Sequence, residues 1–332
     1  FMTEAVYLEI CIPSWHPSRP NSFHGATSPT MHGKSSTRLI FSALGLLVAA
    51  SGYAFPNLFS EASADSHANF QREAGFDIRR RAVRIEASHL GTKDASPPST
   101  MVLNLFSDAT YTALLDKAGR LESGGRYWTG RLREVSSGTV SLVIRDGALT
   151  GTVNTGESLF LIRPDRDGHH IVREVDPATY APEIEPIEIS RAELALPESF
   201  EAADDGSNID ILVVYPPSAR EKAGGTTAIE NLIDLAVVET NQSYSNSGIS
   251  QRLTLQEAQE VAYSEAGFSW PTTLSRLAGT SDGYMDGVHG LRDANCADAV
   301  VLIVGNTQYC GMAYLMSSVS SSFAGSAFSL VS

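Results

Sequence analysis

Cysteine is scarce in this chain of 332 residues, where Cys11, Cys296 and Cys310 are the full set, so a small disulfide-stapled scaffold is excluded. Basic residues are outnumbered, 24 Lys and Arg against 38 Asp and Glu, for a net charge of -14. A surface of that sign repels phosphate backbones, and the short run Arg79, Arg80, Arg81 is too small to reverse it, which excludes nucleic acid as a partner class. No apolar run reaches the roughly 20 residues needed to span a bilayer. The G-x-S-x-G elbow of serine hydrolases and the glycine patterns that cradle nucleotide phosphates are also missing.

What remains is the composition of a soluble globular protein, 42% hydrophobic and 19% charged. Its length predicts about two domains. Residues 1–30 show no sustained helical or strand period and read as a non-native or disordered leader. Lys34 and Arg38 then precede the apolar run Leu39 to Ala50, and small residues stand at Gly52 and Ala54, with a second such pair at Ala62 and Ala64. This is the pattern of a signal peptide over residues 31–54. It predicts a secreted, extracellular or periplasmic protein that is free of the membrane once the signal is cut. Of the cysteines, Cys296 and Cys310 would survive export, able to pair with each other or with partners elsewhere.

Residues 65–176 read as a mostly antiparallel β domain. Short β-rich segments such as Met101 to Phe106, Tyr127 to Leu132, Val140 to Ile144, Leu149 to Val153 and Ser158 to Ile162 are separated by turn signals including Asp146-Gly147. A single helix is expected near Ala109 to Ala118. The pair His169-His170 beside Asp165 and Asp167 is poorly arranged for one metal ion, since neighbours on a strand face opposite ways, and it reads as a solvated turn. Residues 177–208 shift to Pro, Ala and Glu with a lone Arg191 and read as an acidic linker open to cleavage.

From residue 209 the pattern becomes α/β. Ile209 to Tyr215 is a buried-strand run, and a helix from about Ala228 to Ser245 carries an apolar stripe of Ile229, Leu232, Ile233, Ala236, Val237 and Tyr244, stopped by Gly248. A strand at Leu253 to Ala262, helical stretches near Thr272 to Leu277 and Met285 to Asn295, and a strand at Ala299 to Val304 follow. Asp282, Asp286, His289 and Asp293 recur at helical spacing but read as a cap and a solvated face rather than as ligands.

Several stretches are specific: Glu239-Thr-Asn-Gln-Ser-Tyr-Ser-Asn-Ser-Gly248, Ser281 to Val288, Ala297 to Val304, Tyr309-Cys-Gly-Met-Ala-Tyr-Leu315 and the terminal Ala327-Phe-Ser-Leu-Val-Ser332. With them the chain from Ile209 onward resembles bacterial metzincin zinc proteases of the reprolysin-like branch, and residues 103–176 more weakly resemble the propeptide region of the same proteins. The resemblance implies a metzincin-like catalytic subdomain behind a β-rich propeptide, and a precursor of a secreted zinc metalloendopeptidase acting on protein or peptide substrates. In that family zinc is held by H-E-x-x-H-x-x-G-x-x-H, two histidines on one helical face and a third after a turn.

None of the eight histidines here is followed by Glu, so the resemblance implies ligands beyond Ser332 and an inactive, metal-free fragment as it stands. It also implies that the strand near Cys310 to Leu315, with Gly311, Met312, Ala313 and Tyr314, binds extended substrate through main-chain hydrogen bonds, with the propeptide-like domain covering the cleft. A reading from another class is a non-catalytic secreted binding or inhibitory module.

Overall fold

The computed structural model describes residues 57–62, 77–86, 90, 96–165, 168–189, 208–317 and 320–332. The leader, the signal peptide and most of the linker lie outside the described residues, as does Asp167.

Nine strands make the first sheet: β1 (Phe59–Glu61), β2 (Asp77–Ile85), β3 (Thr100–Phe106), β4 (Ala109–Arg120), β5 (Arg126–Leu132), β6 (Thr139–Arg145), β7 (Ala148–Asn154), β8 (Leu159–Pro164) and β9 (His170–Val175). The order is β1-β2-β9-β8-β7-β6-β5-β4-β3, and each ladder is antiparallel. The two ends meet. Asn57 bridges Val102, and the Asn104 side chain both accepts from Phe59 N–H at 3.1 Å and donates to Phe59 O at 2.8 Å. The sheet therefore curls round a core that includes Phe59, Leu103, Leu105, Leu142, Phe160 and Val172, and closure leaves little free edge. Phe59 lies ahead of residue 65, so this unit takes in more chain than the composition suggests.

Asp146 and Gly147 join β6 to β7, both at positive φ (51° and 82°), with Arg145 paired to Ala148. That is the two-residue hairpin turn whose twist matches its strands.

Two expectations are corrected here. The helix expected near Ala109 to Ala118 is strand β4, which Thr110, Tyr111 and Thr112 favour and which two flanking ladders reward more than an isolated helix could. His170 is not in a solvated turn: it is 3% exposed on β9, and its Nε2 accepts the Leu149 N–H at 2.9 Å.

The second sheet runs β10-β14-β15-β13-β11-β12, from β10 (Ile187–Ile189), β11 (Ile209–Tyr215), β12 (Leu253–Glu260), β13 (Ala299–Ile303), β14 (Gly311–Met316) and β15 (Phe328–Val331). Its pairs are parallel except β14 with β15. β11 and β13 carry unbroken apolar runs because helices cover both faces. On one face α1 (Pro217–Ala223) and α2 (Thr226–Asn246) pack through Ala219, Ile229, Ile233 and Ala236 onto Ile211, Val213 and Val301. On the other, α3 (Trp270–Ala278) and α4 (Val288–Ala294) set Trp270, Leu274, Leu277 and Val288 against Leu212, Val214, Val300 and Phe328. Each such side chain fully buried contributes roughly 1.5–3 kcal/mol.

α2 is enclosed on a second side that its stripe does not announce. Asn231, Asp234, Leu235 and Val238 are also buried, facing the first unit.

Candidate functional site

β14 runs antiparallel to β15 on its inner side, with Gly311 opposite Val331, Met312 opposite Leu330 and Ala313 opposite Ser329. Gly311 is required by packing: a Cβ there would lie 2.7 Å from the Leu330 carbonyl. Met312 and Ala313 are buried, so their side chains hold the strand to the core, and Tyr314 is half-buried with its hydroxyl pKa pushed up by desolvation. What β14 can offer a partner is therefore its outer row of backbone groups.

That outer row is occupied by the chain itself. Cys310 N–H donates to Pro182 O at 3.1 Å, and β10 then pairs in parallel, Ile187 with Tyr314, Glu188 with Leu315 and Ile189 with Met316. Ile184 and Ile187 pack against the cluster of Trp270, Met312 and Phe328, while Glu183, Glu185 and Glu188 face solvent. Below this edge lie stacked aromatics, Phe268 on Trp270 at 5.3 Å and Trp270 on Tyr309 at 6.0 Å, both edge to face. The indole Nε1 of Trp270 is buried without a hydrogen-bond partner.

The first unit touches the second elsewhere. Arg145, beside the β6–β7 turn, bonds Glu230 at 2.8 Å and Asp234 at 2.5 Å on α2. Ser123, in the turn after β4, donates to both Asp234 oxygens at 2.7 and 2.9 Å. Asn231 donates to Ala148 O at 2.8 Å, and Val143 meets Leu235 and Val238. Burial raises the Asp234 pKa, against the opposing pull of Ser123 and Arg145.

Among the described residues no group of three His, Cys, Asp or Glu side chains is placed to hold a metal ion. Asp282 and Asp286 accept backbone N–H groups of their own turn. His289 lies 3.1 Å from Ala278 O, its ring 4.9 Å from that of Phe328. Cys296 is a free, exposed thiol. The structure thus gathers Gly311, Met312, Ala313 and Tyr314 on one strand and leaves Cys296 apart from them.

Sequence reasoning missed β10 and the second face of α2. The spacing of Ile184, Ile187 and Ile189 between outward glutamates was the available signal for β10. The polar residues at Asn231 and Asp234 hid the α2 face.

No protein-family model matches the chain. A peptidyl-Asp metalloendopeptidase of Xanthomonas campestris pv. campestris is 32% identical over 296 residues, covering 82% of this chain and 65% of that protein. A protein of the same name from Stenotrophomonas maltophilia is 31% identical over 320 residues, covering 85% of this chain and 70% of the relative, and one from another strain matches equally. The chain spans about two thirds of the length of these relatives. Among solved structures, metalloproteinase-II from Bacteroides fragilis aligns with 10% identity and a TM-score of 0.39, over 70% of this chain and 74% of its own.

Proposed function

The chain belongs to the family of the peptidyl-Asp metalloendopeptidases, and from that premise we propose that it is the front part of a secreted, zinc-dependent endopeptidase precursor that cuts protein substrates at aspartyl positions. The observation that carries this reading is the match itself: 85% of the chain aligns with one such relative, more than either folded unit could supply alone.

Zinc in a protease of this kind polarises the scissile carbonyl and supplies a hydroxide nucleophile near neutral pH. The described residues do not fit that ion, lacking any grouping of three ligand side chains, so no step is assigned to it here. Its ligands are proposed to lie in sequence outside these 332 residues. This chain's contribution is positioning. The outer edge of β14 would take an extended peptide by main-chain pairing, with Gly311, Met312, Ala313 and Tyr314 fixing the strand's height over the cleft.

On this reading residues 65–176, together with β1, form a propeptide-like unit and residues 209–332 the start of a metzincin-like protease unit. The proposed cover over the cleft is the strap from Pro182 to Ile189, because the β-rich unit rests on α2. The test is proteolysis by the longer protein once its linker is cut and the severed N-terminal piece has been removed. Cleavage of an aspartate-containing peptide that stops on adding a zinc chelator supports the reading, and chelator-insensitive or absent cleavage overturns it.

A further inference from the structure

The β-rich unit and the strap that follows it grip the protease-like unit at two separate places, and both grips lie N-terminal to residue 190. The first is the α2 face, held by Arg145, Ser123 and Ala148 O against Glu230, Asp234 and Asn231. The second is the outer edge of β14, held by Pro182 to Ile189. β11 begins only at Ile209. Any cut between Ile189 and Ile209 therefore leaves the β14-bound strap attached to the β-rich unit.

We propose that the severed N-terminal piece remains clamped on the protease-like unit at these two points, so that linker cleavage alone yields an inhibited complex and a second step must remove the piece. This rests on the reading of β14 as the substrate edge.

The strap is short and stiff where it leaves the barrel. β9 ends at Val175, Asp176 caps the turn Pro177–Thr179 by accepting from Ala178 N–H at 2.9 Å, and Pro182 already touches Cys310. A seated α2 contact thus delivers the strap to β14 at high local concentration, and linked sites of this kind gain roughly 10²–10⁴ in avidity over either alone. Ile184 and Ile187 add apolar anchorage beneath β14. The character of the α2 face suits a temporary partner. Its apolar centre is small, Leu235 and Val238, and its surround of Glu230, Asn231 and Asp234 can be rehydrated once the piece departs.

The test uses the whole 332-residue chain with a recognition sequence for a site-specific protease inserted between residues 190 and 207, cut at neutral pH. The proposal expects both pieces to elute together in gel filtration, with the strap-facing backbone amides of Cys310 and Leu315 as protected from hydrogen exchange after the cut as before it. Separate peaks overturn it. Co-elution with those amides newly exchanging also overturns it, because the strap has then left its seat.

Arg145→Asp, and separately Ile184→Asp with Ile187→Asp, should each weaken retention by roughly 10²-fold, and the two sets together should separate the pieces. If a variant fails to fold uncut, the unsubstituted nicked chain still decides the question. The outcome is independent of catalysis: a nicked chain that stays together while the longer protein, freed of that piece, shows no chelator-sensitive proteolysis would overturn the enzyme reading and leave the retention of the piece standing.

Discussion

Arg145 and Asp234, 89 residues apart, share a 2.5 Å ion pair in which the carboxylate is almost wholly buried. It joins the barrel to the three-layer α/β unit through one hairpin and one helix. Both groups are committed elsewhere too, Arg145 to Glu230 and Asp234 to Ser123, so the pair is the centre of a small network.

Removing one partner strands the other. Asp234→Ala should lower stability in urea unfolding by about 3 kcal/mol, because a partly buried guanidinium loses its closest counter-charge. Replacing both, Arg145→Met with Asp234→Leu, should recover most of that loss, since desolvation of the pair is then relieved along with its attraction. A double variant no better than the single would show that the pair is not the cause.

Stability should fall on acidification through His170. Burial lowers its pKa from 6.5 to about 4, with His169 adding a smaller push in the same direction. Between those values the unfolded chain binds a proton that the folded chain refuses. The contribution is therefore complete above about pH 6.5 and is lost as pH falls toward 4, to a total of roughly 3 kcal/mol. Asp234, raised by burial, acts with the opposite sign, its contribution growing as pH falls. His170→Gln, which keeps an acceptor for Leu149 N–H, should flatten the slope between pH 4 and 6.5 in a series of urea midpoints. An unchanged slope would remove His170 as its source.

Two glycines in the barrel should respond differently. A Cβ on Gly147 meets nothing, so Gly147→Ala carries only the cost of its positive φ, about 1–2 kcal/mol. On Gly130 a Cβ would lie 2.2 Å from the Leu114 carbonyl, a backbone atom that cannot swing aside, so Gly130→Ala should cost about 3 kcal/mol or prevent folding. Thermal melts of the two variants side by side give the comparison.

Cys296 sits at φ 50° with an exposed free thiol. Cys296→Gly should raise stability by about 1 kcal/mol, since glycine adopts that conformation without strain. A fall instead would show that the strain at this position is outweighed by a contact of the cysteine side chain.

How much of this was written in the sequence depends on whether a residue's partner is near or far along the chain. Ile209 to Tyr215 and Ala299 to Val304 are legible because a strand buried on both faces needs no polar alternation, and the Asp146-Gly147 turn because few dipeptides tolerate two positive φ values. β4 was not, as Ala113, Leu114 and Leu115 suit a helix as well as a strand, and only the ladders from β3 and β5 decide. The α2 face was hidden because Asn231 and Asp234 look solvent-facing until Arg145 and Ala148, more than eighty residues earlier, arrive to satisfy them. Of the candidate site, Gly311 to Tyr314 could be picked out, but their resident partner could not. Ile187 to Ile189 is a strand only because β14 lends it an edge.

The most direct test of the account is an end-point assay on the longer protein, freed of its N-terminal piece and supplied with zinc, against a peptide library read by mass spectrometry. Cuts should concentrate at aspartate, stop on adding a zinc chelator and return with added zinc. Cuts indifferent to both aspartate and chelator, or no cuts from a folded protein that demonstrably binds zinc, would contradict it.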